Sequence, residues 1–193
     1  MLVIVLAAWL MMAITGNAGL LSGFGLKSLR YFTVLSNLFA GLCAGLWLKN
    51  RKSGPQRVES LKFVAGISVF LTFTVVVGFL APLYGFAKMY TGANLWFHLL
   101  VPLMAVFELI FLSEERYSKK TLRMTMLPPL IYGIFYLANI LINGIGAWPN
   151  SNDWYGFLNW GYPAGMLIFA FICLVSWLLG KLVSFLHDIW IRH

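Results

Sequence analysis

Two short segments of the sequence carry residue types able to do covalent chemistry. One reads Arg30-Tyr31-Phe32-Thr33-Val34-Leu35-Ser36-Asn37, the other Asn94-Leu95-Trp96-Phe97-His98-Leu99-Leu100-Val101-Pro102. Thr33, Ser36 and Asn37 stand at i, i+3 and i+4 and so share one helical face. Ala40, Gly41, Ala44 and Gly45 continue that face, and small residues at this spacing let another helix approach closely. A hydroxyl and an imidazole brought together make a nucleophile and its base. Taken singly, each residue has a plainer reading. An isolated Thr in an apolar helix bonds its own i−4 carbonyl, and an isolated interfacial His bonds a lipid headgroup or a carbonyl. The case for chemistry rests on whether the elements carrying them place the two side by side.

Those elements are membrane helices. The chain of 193 residues is 61% hydrophobic and 10% charged, with a mean hydropathy of +0.83. A soluble domain is about 45–50% apolar and about 25% charged, so a soluble domain, a disordered chain and a disulfide scaffold are excluded. Six stretches approach the roughly 20 apolar residues that cross a bilayer: 2–22, 31–48, 62–83, 94–112, 122–143 and 162–186. The first is interrupted by Gly16 and Asn17 and lacks the basic start of a signal peptide. The expected fold is therefore a single all-α domain over 1–193, a six-helix transmembrane bundle. Short connections leave no room for a soluble domain.

The net charge of +8 does not describe a nucleic-acid groove, because the basic residues cluster between apolar runs. Lys49, Arg51, Lys52, Arg57, Lys62, Arg116, Lys119, Lys120, Arg123, Lys181 and Arg192 fall on one side of the predicted bundle; only Lys27, Arg30 and Lys88 fall on the other. The richer side is cytoplasmic, which puts both termini there, with a bacterial inner membrane as the expected location. Helices two and four then both start outside. Thr33 lies about two residues into its helix and His98 about four into its own, so their depths agree within about 3 Å.

Other polar residues surround that level. Pro102 has no N–H and crowds the carbonyl of His98, so a kink is expected there. Glu108 lies on roughly the same face as His98 but about 15 Å farther along, placed to snorkel to the cytoplasmic surface. In helix five Tyr132, Tyr136, Asn139 and Asn143 form a polar stripe at spacings of 4, 3 and 4. Such a stripe either bonds between helices or lines a pocket. The connection from Ala147 through Trp148, Pro149, Asn150 and Trp154 to Phe157 mixes turn formers with aromatics, as suits a segment folded back at the interface. Cys43 and Cys173 sit in apolar runs as packing residues. His187 and His193 at the tail make no metal site with His98. There is no Gly-x-Ser-x-Gly, no His-Glu-x-x-His and no phosphate-binding glycine loop.

The segment 30–37, then 94–98 with Pro102 and Glu108, then Trp154-Tyr155-Gly156-Phe157-Leu158 come in the order seen in one membrane family. Over about residues 27–165 the chain resembles the androgen-induced protein and androgen-dependent TFPI-regulating protein family, and looks most like its bacterial relatives with an F-T-x-x-S-N segment. The resemblance implies an intramembrane threonine hydrolase acting on lipid esters, in animal members fatty acid esters of hydroxy fatty acids. It implies Thr33 as nucleophile and His98 as the second essential residue. The chain departs from the animal proteins in having Ser36 or Asn37 where they have Asp, and Gly156 where they have Pro.

The expected function is thus lipid-ester hydrolysis, with His98 taking the Thr33 proton. Asn37 is the first candidate to stabilise the oxyanion and Asn139 the second. The cavity is expected between helices two, four and five, with Ser36, Tyr136 and Asn143 also facing it. Arg30, Lys27 and Lys88 could hold a substrate carboxylate or simply contact lipid phosphates. Expected partners are membrane lipids and the ester, with no nucleic acid; the chemistry asks for no metal or organic cofactor. The rival from another class is a non-catalytic lipid or small-molecule carrier, and a third reading is a structural membrane protein.

Overall fold

Long apolar runs with their backbone hydrogen bonds closed internally are the natural solution in a medium without water, and the apolar runs among the described residues are helical. A computed structural model describes residues 1–16, 25–50, 56–114, 116–147 and 151–192, and among these there is no strand. We number the helices α1 (Leu2–Thr15), α2 (Phe32–Asn50), α3 (Arg57–Tyr84), α4 (Ala93–Leu112), α5 (Lys119–Asn143) and α6 (Tyr162–Trp190). The last five are long and apolar enough to cross a membrane. The sixth expected span, α1, has 14 residues, about 21 Å at 1.5 Å per residue, which is shorter than the roughly 30 Å hydrocarbon core. It stops at Gly16, whose φ of 64° lets its N–H close on the Met12 carbonyl, an end that glycine makes at no steric cost. Asn17 and the rest of the expected first span to residue 22 lie outside the described residues, as do Trp148, Pro149, Asn150 and His193.

Proline shapes α3 and α4. Val76–Leu80 and Trp96–Leu100 are π-helical turns lying just ahead of Pro82 and Pro102. Ala81 N–H bonds to the Val76 carbonyl and Val101 N–H to the Trp96 carbonyl, each one residue beyond the α-helical partner. A proline ring crowds the carbonyl four residues back, and a turn widened by one residue relieves that crowding. The local irregularity expected at Pro102 is thus a π turn, and His98 sits inside it.

The small-residue face of α2 packs as its spacing predicts. A Cβ added at Gly41 would lie 3.3 Å from Leu2 and 3.4 Å from Val5 of α1. Ala40 and Cys43 pack with Ala65 and Val69 of α3 and Ala105 of α4 in a buried cluster. α5 and α6 are stitched by Ser176 Oγ donating to the Thr125 carbonyl at 2.7 Å and Thr125 Oγ1 donating to the Ser176 carbonyl at 3.3 Å. At the end of the bundle away from Thr33, Lys62 and Glu108 form an ion pair at 2.8 Å. The Lys62 ammonium also lies 4.1 Å from the Trp47 ring centre, and the Trp47 indole N–H donates to Glu59. Glu108 is therefore not a snorkelling side chain: it is paired to a lysine of α3 at its own level. His187 is buried there, with Nδ1 2.9 Å from the Ile110 carbonyl.

Candidate functional site

The first amides of any helix lack intrahelical acceptors. At α2 one of them is capped from far along the chain: Phe32 N–H donates to the Tyr155 hydroxyl at 3.1 Å. Thr33 comes next, 8% exposed. Its carbonyl accepts from Ser36 Oγ at 3.1 Å and from the Asn37 amide at 2.7 Å. Its hydroxyl is not spent on a backbone carbonyl by any of these bonds. This is the first departure from the ordinary behaviour of a membrane threonine.

His98 is 1% exposed, and its Nδ1 lies 2.9 Å from the Met89 carbonyl. A carbonyl can only accept, so Nδ1 carries the proton, and in the neutral ring Nε2 is left with a lone pair. Nε2 is buried and has no hydrogen-bond partner. Met89 belongs to a short helical turn, Phe86–Met89, in the α3–α4 connection. Asn94 of α4 steadies the same turn by donating to the Lys88 carbonyl at 3.4 Å. Thr33 and His98 both line one small cavity of about 10 Å³, closed by Met12, Tyr31, Val34, Asn94 and Phe97. α1, α2 and α4 therefore converge on the pair.

Thr33 also borders a second chamber of about 80 Å³ on its other side. This one is lined by Leu71, Thr72, Val76, Tyr132, Tyr155 and Phe169 among others. A much larger apolar cavity of about 670 Å³ lies beyond, between α2, α3 and α5, with Arg30 and Trp154 at its rim. Phe32 and Tyr132 line both of these spaces, their rings packed edge to face at 5.3 Å, and so form the partition between them. The cavity beside Thr33 is thus bounded by α2, α3, α5 and α6, whereas α4 contributes only the His98 side. The expected pocket between helices two, four and five is corrected to this arrangement.

The remaining expected site residues divide. Asn37 is fully buried, and its amide also donates to the Phe97 carbonyl at 3.2 Å, so its N–H groups tie α2 to α4 and are not offered to a substrate. Ser36 lines the large cavity and shares a hydrogen bond with Thr72 at 3.2 Å. Asn139 lines the large cavity too, away from Thr33. Asn143 is exposed and donates to Asn139 Oδ1 at 2.9 Å. Tyr136 lends its ring to the large cavity but turns its hydroxyl to Asp153. Arg30 stands at the cavity rim, its guanidinium 4.8 Å from the Tyr31 ring centre and 5.6 Å from that of Trp154. Lys27 and Lys88 are exposed and line none of these three spaces. Among the described residues no group of His, Cys, Asp and Glu could hold a metal ion.

Sequence reasoning passed over two participants. Asp153 is 8% exposed and organises the whole 151–158 segment. It accepts from the Tyr136 hydroxyl, and from Phe157 N–H and Leu158 N–H at 2.9 Å each. Tyr136 in turn accepts from Tyr155 N–H at 3.2 Å, and Trp154 Nε1–H donates to Tyr132 at 3.0 Å. The segment is thereby clamped over the ends of α2 and α5 with Tyr155 aimed at Thr33. The signal was available: a lone carboxylate followed by Trp154 and Tyr155 must find donors if it is buried. The second participant, the Met89 carbonyl, is backbone and has no signature of its own. Compared with family models, with curated proteins and with solved structures, the chain matches none.

Asp153→Ala strands a phenol and two amides in a buried site and is expected to lower stability by about 2–3 kcal/mol, read as a fall in the thermal or SDS unfolding midpoint. The clamp also responds to pH. Burial, above all other causes, pushes the Tyr155 phenol up to about 12 from an ordinary 10. An acid whose folded pKa is raised contributes stability that is full below the unfolded pKa and lost above it. Between about pH 10 and 12 the wild type is therefore expected to lose stability relative to Tyr155→Phe, which has no phenol to ionise, and the difference between their melting curves should shift across that window.

Proposed function

We propose that the protein is an intramembrane lipid-ester hydrolase with Thr33 as nucleophile and His98 as base, embedded through six helices with both termini cytoplasmic, in a bacterial inner membrane. The observation that carries this reading is the shared cavity of Thr33 and His98, joined to a buried imidazole whose Nδ1 is engaged and whose Nε2 is not. A buried polar atom without a partner is costly; His187 has the same arrangement, Nδ1 on the Ile110 carbonyl and Nε2 unpartnered, so what sets His98 apart is the cavity it shares with Thr33.

His98 Nε2 takes the Thr33 proton as Oγ1 bonds to the acyl carbon, and the carbonyl electrons move onto oxygen. The tetrahedral intermediate collapses, the C–O bond to the alcohol breaks, and His98 returns the proton to the departing alkoxide. Water, activated by the same imidazole, then releases the acid from acyl-threonine. Base catalysis of this kind supplies about 10²–10⁴-fold. The apolar walls of the 80 Å³ chamber and of the 670 Å³ cavity suit an acyl chain. Arg30 at the cavity rim suits a lipid phosphate or a substrate carboxylate.

The large cavity also supports a second reading, a non-catalytic lipid carrier, because neither Thr33 nor His98 lines it. A fluorophosphonate probe separates the two. Labelling of purified wild-type protein that disappears in both Thr33→Ala and His98→Ala is the result expected of the hydrolase. Labelling unchanged in Thr33→Ala would refute it, and lipid flux in liposomes without labelling would favour the carrier.

A further inference from the structure

A threonine and a histidine leave the reaction short of one group, a donor for the oxyanion. Asn37 and Asn139 do not supply it, so the donor must be sought among hydrogens that the fold has not already engaged. Around Thr33 nearly all of them are engaged. The Tyr132 hydroxyl donates to the Arg30 carbonyl at 2.8 Å. The Tyr136 hydroxyl donates to Asp153. The Ser36 hydroxyl donates to the Thr33 carbonyl, and Thr72 Oγ1 has the Ser68 carbonyl at 3.4 Å.

Tyr155 differs. Its oxygen accepts the Phe32 amide at 3.1 Å, which leaves the phenolic hydrogen unassigned to any backbone carbonyl or carboxylate. The other groups bonded to that hydroxyl are the Thr33 and Tyr132 side chains, neutral hydroxyls that a developing oxyanion outcompetes for the hydrogen, and all three line the same chamber. We propose that the Tyr155 hydroxyl is the oxyanion donor at Thr33, a catalytic residue whose role rests on the Thr33–His98 hydrolase reading.

The placement has the right sidedness. Thr33 lies between two spaces, His98 bordering one and Tyr155 the other. The proton leaves toward the first while the carbonyl approaches from the second. Tyr155 transfers no proton; it shares its hydrogen with the developing oxyanion and takes it back fully on collapse. The Phe32 amide polarises the phenol by donating to its oxygen, and bonds in series strengthen one another. Because burial raises the phenol to about 12, the hydrogen stays in place across the working pH range.

The test uses the full-length protein in nanodiscs with a p-nitrophenyl acyl ester. Tyr155→Phe keeps the ring and is expected to lower kcat by about 10²-fold with little change in KM. A trifluoromethyl ketone, whose adduct carries an oxyanion, should lose a similar factor in affinity, while the parent methyl ketone should bind as before. Equal weakening of both ketones, or a kcat within about threefold of wild type, would overturn the proposal. Should Tyr155→Phe fail to fold, 3-fluorotyrosine in place of Tyr155 keeps the hydroxyl and lowers its pKa. The alkaline limb of the rate should then move to lower pH, and an unmoved limb would overturn the proposal equally. Hydrolysis indifferent to Thr33→Val would instead sink the underlying reading, and this role with it.

Discussion

Thr33→Val is expected to reduce ester hydrolysis by at least about 10³-fold, roughly 4 kcal/mol of transition-state stabilisation, while Thr33→Ser retains measurable turnover. The structure makes this an unusually clean substitution. The bonds made at residue 33 by Ser36 and Asn37 go to its carbonyl, which valine keeps. Valine also keeps the shape that fills the space between Met12, Tyr31 and Val34. What disappears is the hydroxyl, with its bond to Tyr155. Serine keeps the nucleophile but loses a methyl group, which frees its rotamer and costs orientation rather than chemistry. The measurements are initial rates on a p-nitrophenyl ester, an unfolding midpoint for each variant, and intact-protein mass after a short pulse of ester. An acyl adduct on wild type and on Thr33→Ser, with none on Thr33→Val, is the expected pattern. Wild-type rates in Thr33→Val would reduce Thr33 to a packing residue.

Much of the frame behind that experiment was legible because hydropathy and helical period act locally. Apart from the start of α3 and the end of α6, the ends of α2 through α6 can be read from where apolar runs meet charge and glycine, and the seam at Gly41 from small residues one turn apart. α1 shows the limit. Composition alone extends it past Gly16, but a glycine in the left-handed region ends the helix however apolar the neighbouring residues are. Matched depth in the sequence pairs Thr33 with His98; the two line one small cavity, and no hydrogen bond joins them.

What escaped is set by rotation about helix axes and by backbone groups. Asn37 shares the Thr33 face, yet its amide points across to the Phe97 carbonyl; the spacing could name the face but not the acceptor. Asn139 and Asn143 recur with the period of a pocket wall and instead bond to each other at the edge of a different cavity. Lys62 reads as a loop charge and turns out to be the partner of Glu108. A helix that starts five residues earlier than hydropathy suggests carries its basic residue into the bundle, where only pairing makes burial tolerable.

His98→Ala is expected to cut hydrolysis by about 10³-fold and to abolish fluorophosphonate labelling, with partial recovery on adding imidazole to the assay. The recovery matters because the substitution also removes the bond to Met89. If His98 only tethered the α3–α4 connection, free imidazole could not replace a tether, and the lost rate would stay lost. The same bond makes a spectroscopic demand. Fixed by a carbonyl that can only accept, the ring must hold its proton on Nδ1, so the 15N shift of His98 Nε2 should fall in the range of an unprotonated nitrogen at neutral pH. A protonated Nε2 would have no lone pair and would remove the base from the proposed mechanism. On the hydrolase reading, the acid limb of the rate profile in His98→Ala rescued by a substituted imidazole should shift with the pKa of the added base. A limb that stayed where wild type has it would assign the titration to some other group.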